Sequence, residues 1–331
     1  MSRRRRAASS ASFSARNSLP SRMKRYRQYS EYLKGIFGCR VRKISVDAGF
    51  SCPNRDGTLS TGGCAFCDNT AFTTSYCDPS LSISEQLSRG IAFHKVRHRE
   101  ADAYLAYFQS YSNTYAETQV LRRRYREALS SPQICGLVLA TRPDCIDERK
   151  LDLLAELARD RYILVEYGVE SLSGRALELC GRGHDTQASL RAIRLTAERG
   201  IRTGAHLIFG LPGETRTQML QGLELLNTLP LDTVKFHQLQ ILKGSRFEAE
   251  YKAAPERFEL FSEGEYLEFL VEALRRLNPA FVPERLFNEV PPRYLVAPVW
   301  NAGRSDALYA KLDAMMEELD ARQGDSAVLA R

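Results

Sequence analysis

The chain has 331 residues, of which 44% are hydrophobic and 26% are charged. This is an ordinary globular composition, and a chain of this length can bury a core of useful size. No stretch of 18 apolar residues is present, which excludes an obvious membrane-spanning helix. No secretory signal is visible either, so we expect a cytoplasmic protein that does not associate with a membrane.

The net charge of +7 is concentrated in residues 1–30, which hold nine basic side chains and no acidic one, so the remainder carries −2. The basic residues are Arg3, Arg4, Arg5, Arg6, Arg16, Arg22, Lys24, Arg25 and Arg27. We predict a basic disordered tail here. Two alternatives stay open: an organelle transit peptide, because the segment is rich in Arg, Ser and Ala, and a true start at Met23, which we favour because patterned sequence begins there.

From Val41 onward, short segments rich in β-branched or aromatic residues alternate with helical patterns. The predicted strands are Val41–Ala48, Ala103–Gln109, Ile134–Thr141, Tyr162–Val169, Thr203–Gly210 and Thr233–Ile241. The predicted helices are Ser84–Arg97, Ala116–Leu129, Asp147–Arg159, Asp185–Arg199, Thr215–Leu229, Tyr266–Leu277 and Ser305–Leu319.

Alternating strands and helices indicate βαβ units around a parallel sheet. Six such units favour an α/β fold of the partial (β/α)6 TIM-like barrel type, with a doubly wound open sheet as the alternative. We expect three parts: the tail 1–30, a barrel over 31–245, and a C-terminal helical extension over 246–331 that packs on the barrel. Residues 320–331 are expected to fray.

Eight cysteines are present, and a chain of this size without an export signal is not expected to use them as a disulfide framework. Cys52, Cys64 and Cys67 form a C-x11-C-x2-C arrangement on a loop directly after the first predicted strand. Thiolate groups bind iron–sulfur clusters or zinc. Because a structural zinc site needs four ligands and this loop has three cysteines and no histidine, the spacing favours a catalytic cluster. Zinc, unrelated cysteines and Cys77 as a fourth ligand stay open.

The segment Cys64-Ala65-Phe66-Cys67 resembles the end of the radical S-adenosylmethionine (SAM) signature, C-x3-C-x-aromatic-C, with Phe66 as the aromatic residue. The first spacing departs from that signature, with eleven residues instead of three. The long form, with Cys-Pro-Asn-Arg-Asp-Gly and Gly-Gly-Cys, resembles the YhcC-type family of bacterial radical SAM proteins. More distantly, it is similar to the radical SAM domain of the elongator catalytic subunits that modify tRNA. Further similar blocks follow the later predicted strands, at 107–114, 141–145, 166–171, 181–184 and 206–214.

The resemblance implies a [4Fe–4S] cluster bound by Cys52, Cys64 and Cys67, with SAM at its open iron. It also implies reductive cleavage of SAM to a 5′-deoxyadenosyl radical, which acts on a substrate that the sequence does not identify. The positions that match the SAM-contacting segments of relatives are Phe66, Ser110, Tyr111, Thr114, Glu170 and Arg182. No catalytic residue is assigned.

Two of these positions depart from the family pattern. The segment 110–114 lacks the usual Gly-rich form, and Glu170 stands where relatives usually carry Gln. An ionised Glu can accept hydrogen bonds from ribose hydroxyls but cannot donate, whereas Arg182 can pair with a carboxylate through two hydrogen bonds. Glu166 lies in an apolar strand and is expected to face the barrel interior. His206 and His237 are expected to be hydrogen-bonded core groups.

The resemblance also implies an electron donor such as flavodoxin or ferredoxin. Two other functions remain open: a non-catalytic zinc or iron–sulfur protein, and a tRNA-modifying enzyme. The near-neutral charge outside the tail gives RNA binding no support, because phosphate-binding proteins usually carry basic patches. We also expect the acetyltransferase portion of elongator proteins to be absent.

Overall fold

The computed structural model describes residues 24–68, 72–97, 101–301 and 305–329. Residues 1–23 of the predicted tail, with the alternative start at Met23, lie outside these ranges. Residues 24–30 differ from the prediction of disorder. Tyr26 is buried, and the Arg25 carbonyl accepts a hydrogen bond from the Gln323 amide at 2.9 Å. This segment therefore packs on the C-terminal end of the chain and leads into a helix that was not predicted, α1 (Tyr29–Phe37).

The main sheet has seven parallel strands, which lie side by side in chain order. They are β1 (Val41–Val46), β2 (Ala103–Phe108), β3 (Ile134–Thr141), β4 (Tyr162–Glu170), β5 (Arg202–Phe209), β6 (Thr233–Gln238) and, beyond a short β7 (Ile241–Leu242), β8 (Val282–Arg285). β7 pairs in antiparallel fashion with β9 (Leu295–Ala297). All six predicted strands are present, each within a few residues of its expected bounds.

Helices connect the strands and cover the outside of the sheet. They are α2 (Ile83–Arg97), α3 (Thr118–Leu129), α4 (Glu148–Ala158), α5 (Gly174–Leu179), α6 (Thr186–Glu198), α7 (Arg216–Asn227), α8 (Arg246–Ala253), α9 (Glu263–Arg276) and α10 (Ser305–Glu318). The side chains of Asp147, Asp185 and Ser262 cap three of the predicted helices by accepting from backbone amides of the first turn. In the described part of the chain, no helix is long and apolar enough to cross a membrane.

The sheet curls into a half-barrel. In a flat sheet, six strand spacings of roughly 4.8 Å would separate β1 from β8 by about 29 Å. Instead, Lys43 on β1 and Glu284 on β8 form an ion pair at 2.6 Å. α1 packs against both of these edge strands and covers the seam between them. The prediction of a partial TIM-like barrel is therefore confirmed over the doubly wound alternative.

The C-terminal part of the chain, expected to be helical, also supplies the seventh strand. β8 contains Pro283, which lacks an amide hydrogen, and the strand pairs only with β6 at the edge of the sheet. The end of the chain is also more ordered than predicted. Ala321 is buried, and the amides of Gly324 and Ser326 donate to carbonyls of α9 at 3.1 and 2.9 Å.

Alternation along the strands separates an apolar layer from a polar interior. Residues such as Ile44 and Val165 point outward and join the main core beneath the helices. Their neighbours Lys43 and Glu166 point inward and meet in an ion pair. The barrel therefore encloses charged groups, and they face a cavity.

Candidate active site

A cavity of about 1350 Å³, its open mouth included, lies at the C-terminal ends of the strands. This is the face on which barrel enzymes hold their active sites. Eight of the nine residues that the sequence predicted for the cofactor site line it: Cys52, Cys64, Phe66, Cys67, Ser110, Tyr111, Glu170 and Arg182.

The ninth residue, Thr114, does not line the cavity. It is fully buried, and its hydroxyl is 2.6 Å from the Thr141 hydroxyl and donates to the Cys145 carbonyl at 2.7 Å. These contacts tie the segment after β2 to the segment after β3. Thr114 therefore supports the wall that carries Ser110 and Tyr111.

The eleven residues between Cys52 and Cys64 fold back on themselves. The amides of Leu59 and Ser60 donate to the Pro53 carbonyl, and the Gly63 amide donates to the Asn54 carbonyl at 2.7 Å. Gly63 has a φ of 74°, a conformation that favours glycine. The long spacing that separates this loop from the usual signature is thus a closed turn that returns the chain to the cavity.

Asn54 holds this loop against the segment after α5. Its Nδ2 donates to the Gly181 and Arg182 carbonyls at 2.9 and 3.1 Å and lies 3.3 Å from Cys64 Sγ. The Ala65 amide donates to the Cys180 carbonyl of the same segment at 2.8 Å. The position of Cys64 is therefore set by one distant part of the chain, residues 180–182, which bonds to the loop on both sides of Cys64 in sequence.

Basic side chains face the thiols. Arg182 Nη1 lies 3.4 Å from Cys64 Sγ, and Arg55 Nη2 lies 3.5 Å from Cys67 Sγ. Burial raises the pKa of the Cys67 thiol, and the hydrogen bond from Arg55 offsets only part of this rise. Hydrogen-bond donors and positive charge stabilise thiolates, the form that binds metal. The thiol surroundings therefore fit an iron–sulfur cluster.

In the ranges that the structure describes, no group of three or more His, Cys, Asp or Glu side chains is arranged to hold one metal ion. A cluster differs from a single ion, because each cysteine binds its own iron atom. Cys77, the alternative fourth ligand, makes contacts elsewhere: its thiol donates to the Ser45 carbonyl at 3.2 Å and lies 2.9 Å from the Thr74 hydroxyl.

Glu170 and Arg182, twelve residues apart in sequence, form an ion pair at 3.3 Å in which Arg182 is buried and Glu170 is half-buried. Glu170 ends β4 with a φ of 65°, where the pairing with β5 is irregular. Arg182 Nη2 donates to the Gly168 carbonyl at 2.6 Å, and its Nε is buried without a partner among the described residues. A buried donor without a partner is costly unless a ligand satisfies it.

Arg142 is a site residue that the sequence analysis did not assign. It is buried after β3, donates twice to the Asp144 carboxylate at 2.9 and 2.7 Å, and lines the cavity. Its Nη1, like Arg182 Nε, has no partner within the described residues. In the sequence, an arginine and a proline directly after a predicted strand could have indicated a site residue at Arg142. Only the fold shows that its guanidinium points into the cavity.

Below the cofactor residues, four charged side chains form a closed set that we call the ion-pair ring: Lys43, Glu166, Lys235 and Glu284. Glu166 contacts Lys43 and Lys235, each at 2.6 Å. Glu284 contacts the same two lysines at 2.6 and 2.8 Å. Burial alone would raise the pKa of Glu166, but the charges of Lys235 and Lys43 hold it well below its usual range. The ring joins both edges of the half-barrel to its middle.

Comparison with known sequences identifies the family. The Radical SAM superfamily matches residues 57–226, and the Radical_SAM C-terminal domain matches residues 231–317. The chain belongs to the radical SAM superfamily. Its cofactors are those of the superfamily, a [4Fe–4S] cluster and SAM. Cys52 lies five residues before the superfamily match, and the folded loop brings it to the same cavity as Cys64 and Cys67.

Two known sequences and one solved structure are similar to this chain. Protein YhcC of Escherichia coli is 36% identical over 284 residues, which cover 85% of this chain and 89% of YhcC. A tRNA uridine(34) acetyltransferase of Methanocaldococcus infernus is 25% identical over 182 residues, 54% of this chain and 33% of that protein. The structure of M. infernus Elp3 lacking residues 1–46 has a TM-score of 0.64 at 20% identity. The shared fold covers 86% of this chain and 64% of the Elp3 chain.

Proposed function

We propose that this chain reductively cleaves SAM at a [4Fe–4S] cluster held by Cys52, Cys64 and Cys67, and directs the product radical at a bound substrate. When bound, the cluster and SAM together supply a 5′-deoxyadenosyl radical that removes a hydrogen atom. The observation that carries the proposal is the convergence of three thiols, their hydrogen-bond donors and the Glu170–Arg182 pair on one cavity.

The chain's own residues have distinct tasks in this scheme. Cys52, Cys64 and Cys67 would hold three irons of the cluster, and the fourth iron would be open to SAM. Asn54, Arg55 and Arg182 donate to the thiolate sulfurs, and such hydrogen bonds tune the reduction potential of a cluster. Phe66 packs against an apolar group that includes Leu239 and Phe247, so the loop between Cys64 and Cys67 is held rigidly.

The polar groups beside the thiols match the parts of SAM. The unpartnered Nε of Arg182 and Nη1 of Arg142 supply donors for its carboxylate. Glu170 can accept from the ribose hydroxyls. Ser110 and the exposed Tyr111 form the rim, where the Arg55 guanidinium lies 5.9 Å from the Tyr111 ring centre. An electron donor such as flavodoxin or ferredoxin is the partner that this chemistry needs.

The test is an anaerobic assay of the reconstituted, dithionite-reduced protein with SAM, in which 5′-deoxyadenosine is measured by mass spectrometry. We expect the parent to form it and the Cys52→Ala, Cys64→Ala, Cys67→Ala triple variant to lack both product and cluster. The matched control is Cys39→Ala, Cys77→Ala, Cys135→Ala, which removes three half-buried thiols that do not line the cavity. Zinc in place of iron and sulfide in the parent would favour the non-catalytic function instead.

A tRNA substrate is a second candidate, supported by the similarity to the tRNA uridine(34) acetyltransferase. Three of the nine basic residues within 1–30, Lys24, Arg25 and Arg27, bond to the C-terminal part of the chain. The other six, within residues 1–22, would add affinity for phosphates. The same assay tests it by adding bulk tRNA. Stimulated product formation that is lost after ribonuclease treatment would support this candidate, and an unchanged rate would remove it.

A further inference from the structure

The cavity has a second wall that the proposed cofactor site does not use. The cysteines and their neighbours follow β1 to β4, whereas β5, β6 and β8 present His206, Lys235, His237 and Arg285 to the same space. Substrate must reach the radical from within this cavity. The side chains of the second wall are therefore the ones available to bind it.

Arg285 differs from the two lysines of the ion-pair ring. Lys43 and Lys235 each contact two carboxylates of the ion-pair ring. Arg285 pairs with β6 through its backbone, but its side chain is half-buried, lines the cavity and makes no hydrogen bond or ion pair with any described residue. The adjacent carboxylate of Glu284 is already shared by the two lysines. Arg285 thus presents an uncompensated positive charge to the cavity.

His237 faces the same space and also lacks a partner. Its ring stacks on His206 with ring centres 6.0 Å apart, and its Nε2 is buried with no hydrogen bond to the described residues. Burial, and then the charge of Arg285, hold the pKa of His237 well below its usual value. His237 is therefore neutral near pH 7 and can donate one hydrogen bond without adding charge.

The backbone around Arg285 is braced. Gln238 and Asn288 exchange two hydrogen bonds, from Gln238 Nε2 to the Asn288 carbonyl at 3.1 Å and from the Asn288 amide to Gln238 Oε1 at 3.0 Å. These bonds tie the end of β6 to the segment after β8. The wall is therefore a fixed surface with a donor and a cation already in place.

We propose that the substrate carries a carboxylate or phosphate group that binds Arg285, with His237 as a second donor; this rests on the proposed radical SAM function. A guanidinium binds either group through two parallel hydrogen bonds. The carboxylate of SAM has donors of its own on the opposite wall, at Arg142 and Arg182. The anion site on β6 and β8 orients the substrate toward the radical.

The experiment uses the reconstituted holoenzyme with SAM present and two probes, inorganic phosphate and glutarate, measured by equilibrium dialysis with labelled compounds. We expect one probe to bind the parent with millimolar affinity and Arg285→Gln to weaken it by about tenfold or more. Arg285→Lys keeps the charge but not the paired donors, so its affinity should fall in between. Arg191→Gln, at an exposed position on α6, is the control for loss of one positive charge.

Stronger binding of phosphate assigns a phosphate group to the substrate, and stronger binding of glutarate assigns a carboxylate. Absence of binding to the parent, or equal binding to parent and Arg285→Gln, would overturn the anion site. So would a loss of SAM affinity in Arg285→Gln, because Arg285 would then belong to the cofactor site. Formation of 5′-deoxyadenosine is measured in the same samples: its absence from the parent counts against the proposed function, whatever the probes show.

Discussion

The barrel interior holds two groups of charged side chains: the ion-pair ring, and the arginines beside the cysteine loop. They differ in how many of their polar atoms have a partner. In the ion-pair ring, both carboxylates and both ammonium groups have two partners of opposite charge. Beside the cysteine loop, Arg142 and Arg182 each keep one buried N–H without a partner among the described residues. A buried polar group without a partner in the protein destabilises the fold, so it indicates a place where a ligand binds. A fully paired group of charges indicates a structural role.

The comparison predicts that substitutions beside the loop change the chemistry and those in the ring change the fold. The largest effect is expected for Cys64→Ala, which should lose the cluster and lower 5′-deoxyadenosine formation by at least about 1000-fold. Far-UV circular dichroism should be unchanged. Iron and sulfide analysis checks the cluster, and a variant that retained both at parental levels would contradict the ligand assignment.

In the ring, Glu166→Gln leaves the buried ammonium group of Lys235 and the half-buried one of Lys43 to share Glu284. Breaking a buried pair by removing one partner costs about 3–5 kcal/mol of unfolding free energy, measured by urea denaturation of the cluster-free protein. The control is Glu156→Gln, which removes a solvent-exposed carboxylate that pairs with Arg122 and Arg126 on the surface and should lower the unfolding free energy far less. Equal losses in the two variants would mean that the ring does not stabilise the fold.

Arg182→Lys tests the other side of the comparison. Lysine keeps the charge near Cys64 but cannot donate at once to the sulfur, the Gly168 carbonyl and a ligand. We expect SAM affinity to fall about 10- to 100-fold, measured by equilibrium dialysis. Arg175→Lys, in an exposed pair on α5, is the control. Unchanged SAM affinity in Arg182→Lys would place the carboxylate of SAM elsewhere.

Acid should act through the ring. The charges of Lys235 and Lys43 hold the pKa of Glu166 well below its usual value of about 4.5, so the charged form favours the folded state. This contribution is complete above the unfolded pKa and is lost as the pH falls below about 4.5 toward the folded pKa. Unfolding free energies measured across this range should therefore drop less steeply for Glu166→Gln than for the parent. Parallel pH profiles would show that Glu166 is not responsible.

The sequence predicted what depends on local pattern. Apolar periodicity predicts six strands and seven helices, and cysteine spacing predicts the metal-binding loop. Because this loop directly follows a predicted strand, the sequence also indicates a site at the strand ends. The ring could not be predicted, because Lys43 and Glu284 are 241 residues apart and meet only when the barrel curls. β8 was not predicted because it has only four residues and contains a proline. α1 was not predicted because it packs on the seam between β1 and β8, which exists only in the folded barrel.

Thr114 is the one predicted cofactor-site residue that does not line the cavity. It matched a segment that contacts SAM in relatives. Its hydroxyl, however, is hydrogen-bonded to the Thr141 hydroxyl and the Cys145 carbonyl behind the cavity wall. Thr114→Val keeps the shape and removes the hydroxyl, so we expect a loss of about 1–3 kcal/mol in unfolding free energy because buried partners lose a hydrogen bond. SAM affinity should stay within about twofold of the parent once the folded fraction is accounted for. Thr58→Val, which removes an exposed hydroxyl bonded to Tyr115, should change neither quantity measurably. If Thr114→Val kept the parental stability but bound SAM more weakly, Thr114 would belong to the cofactor site. A buried polar group with all its partners in the protein would then not indicate a structural role in this barrel.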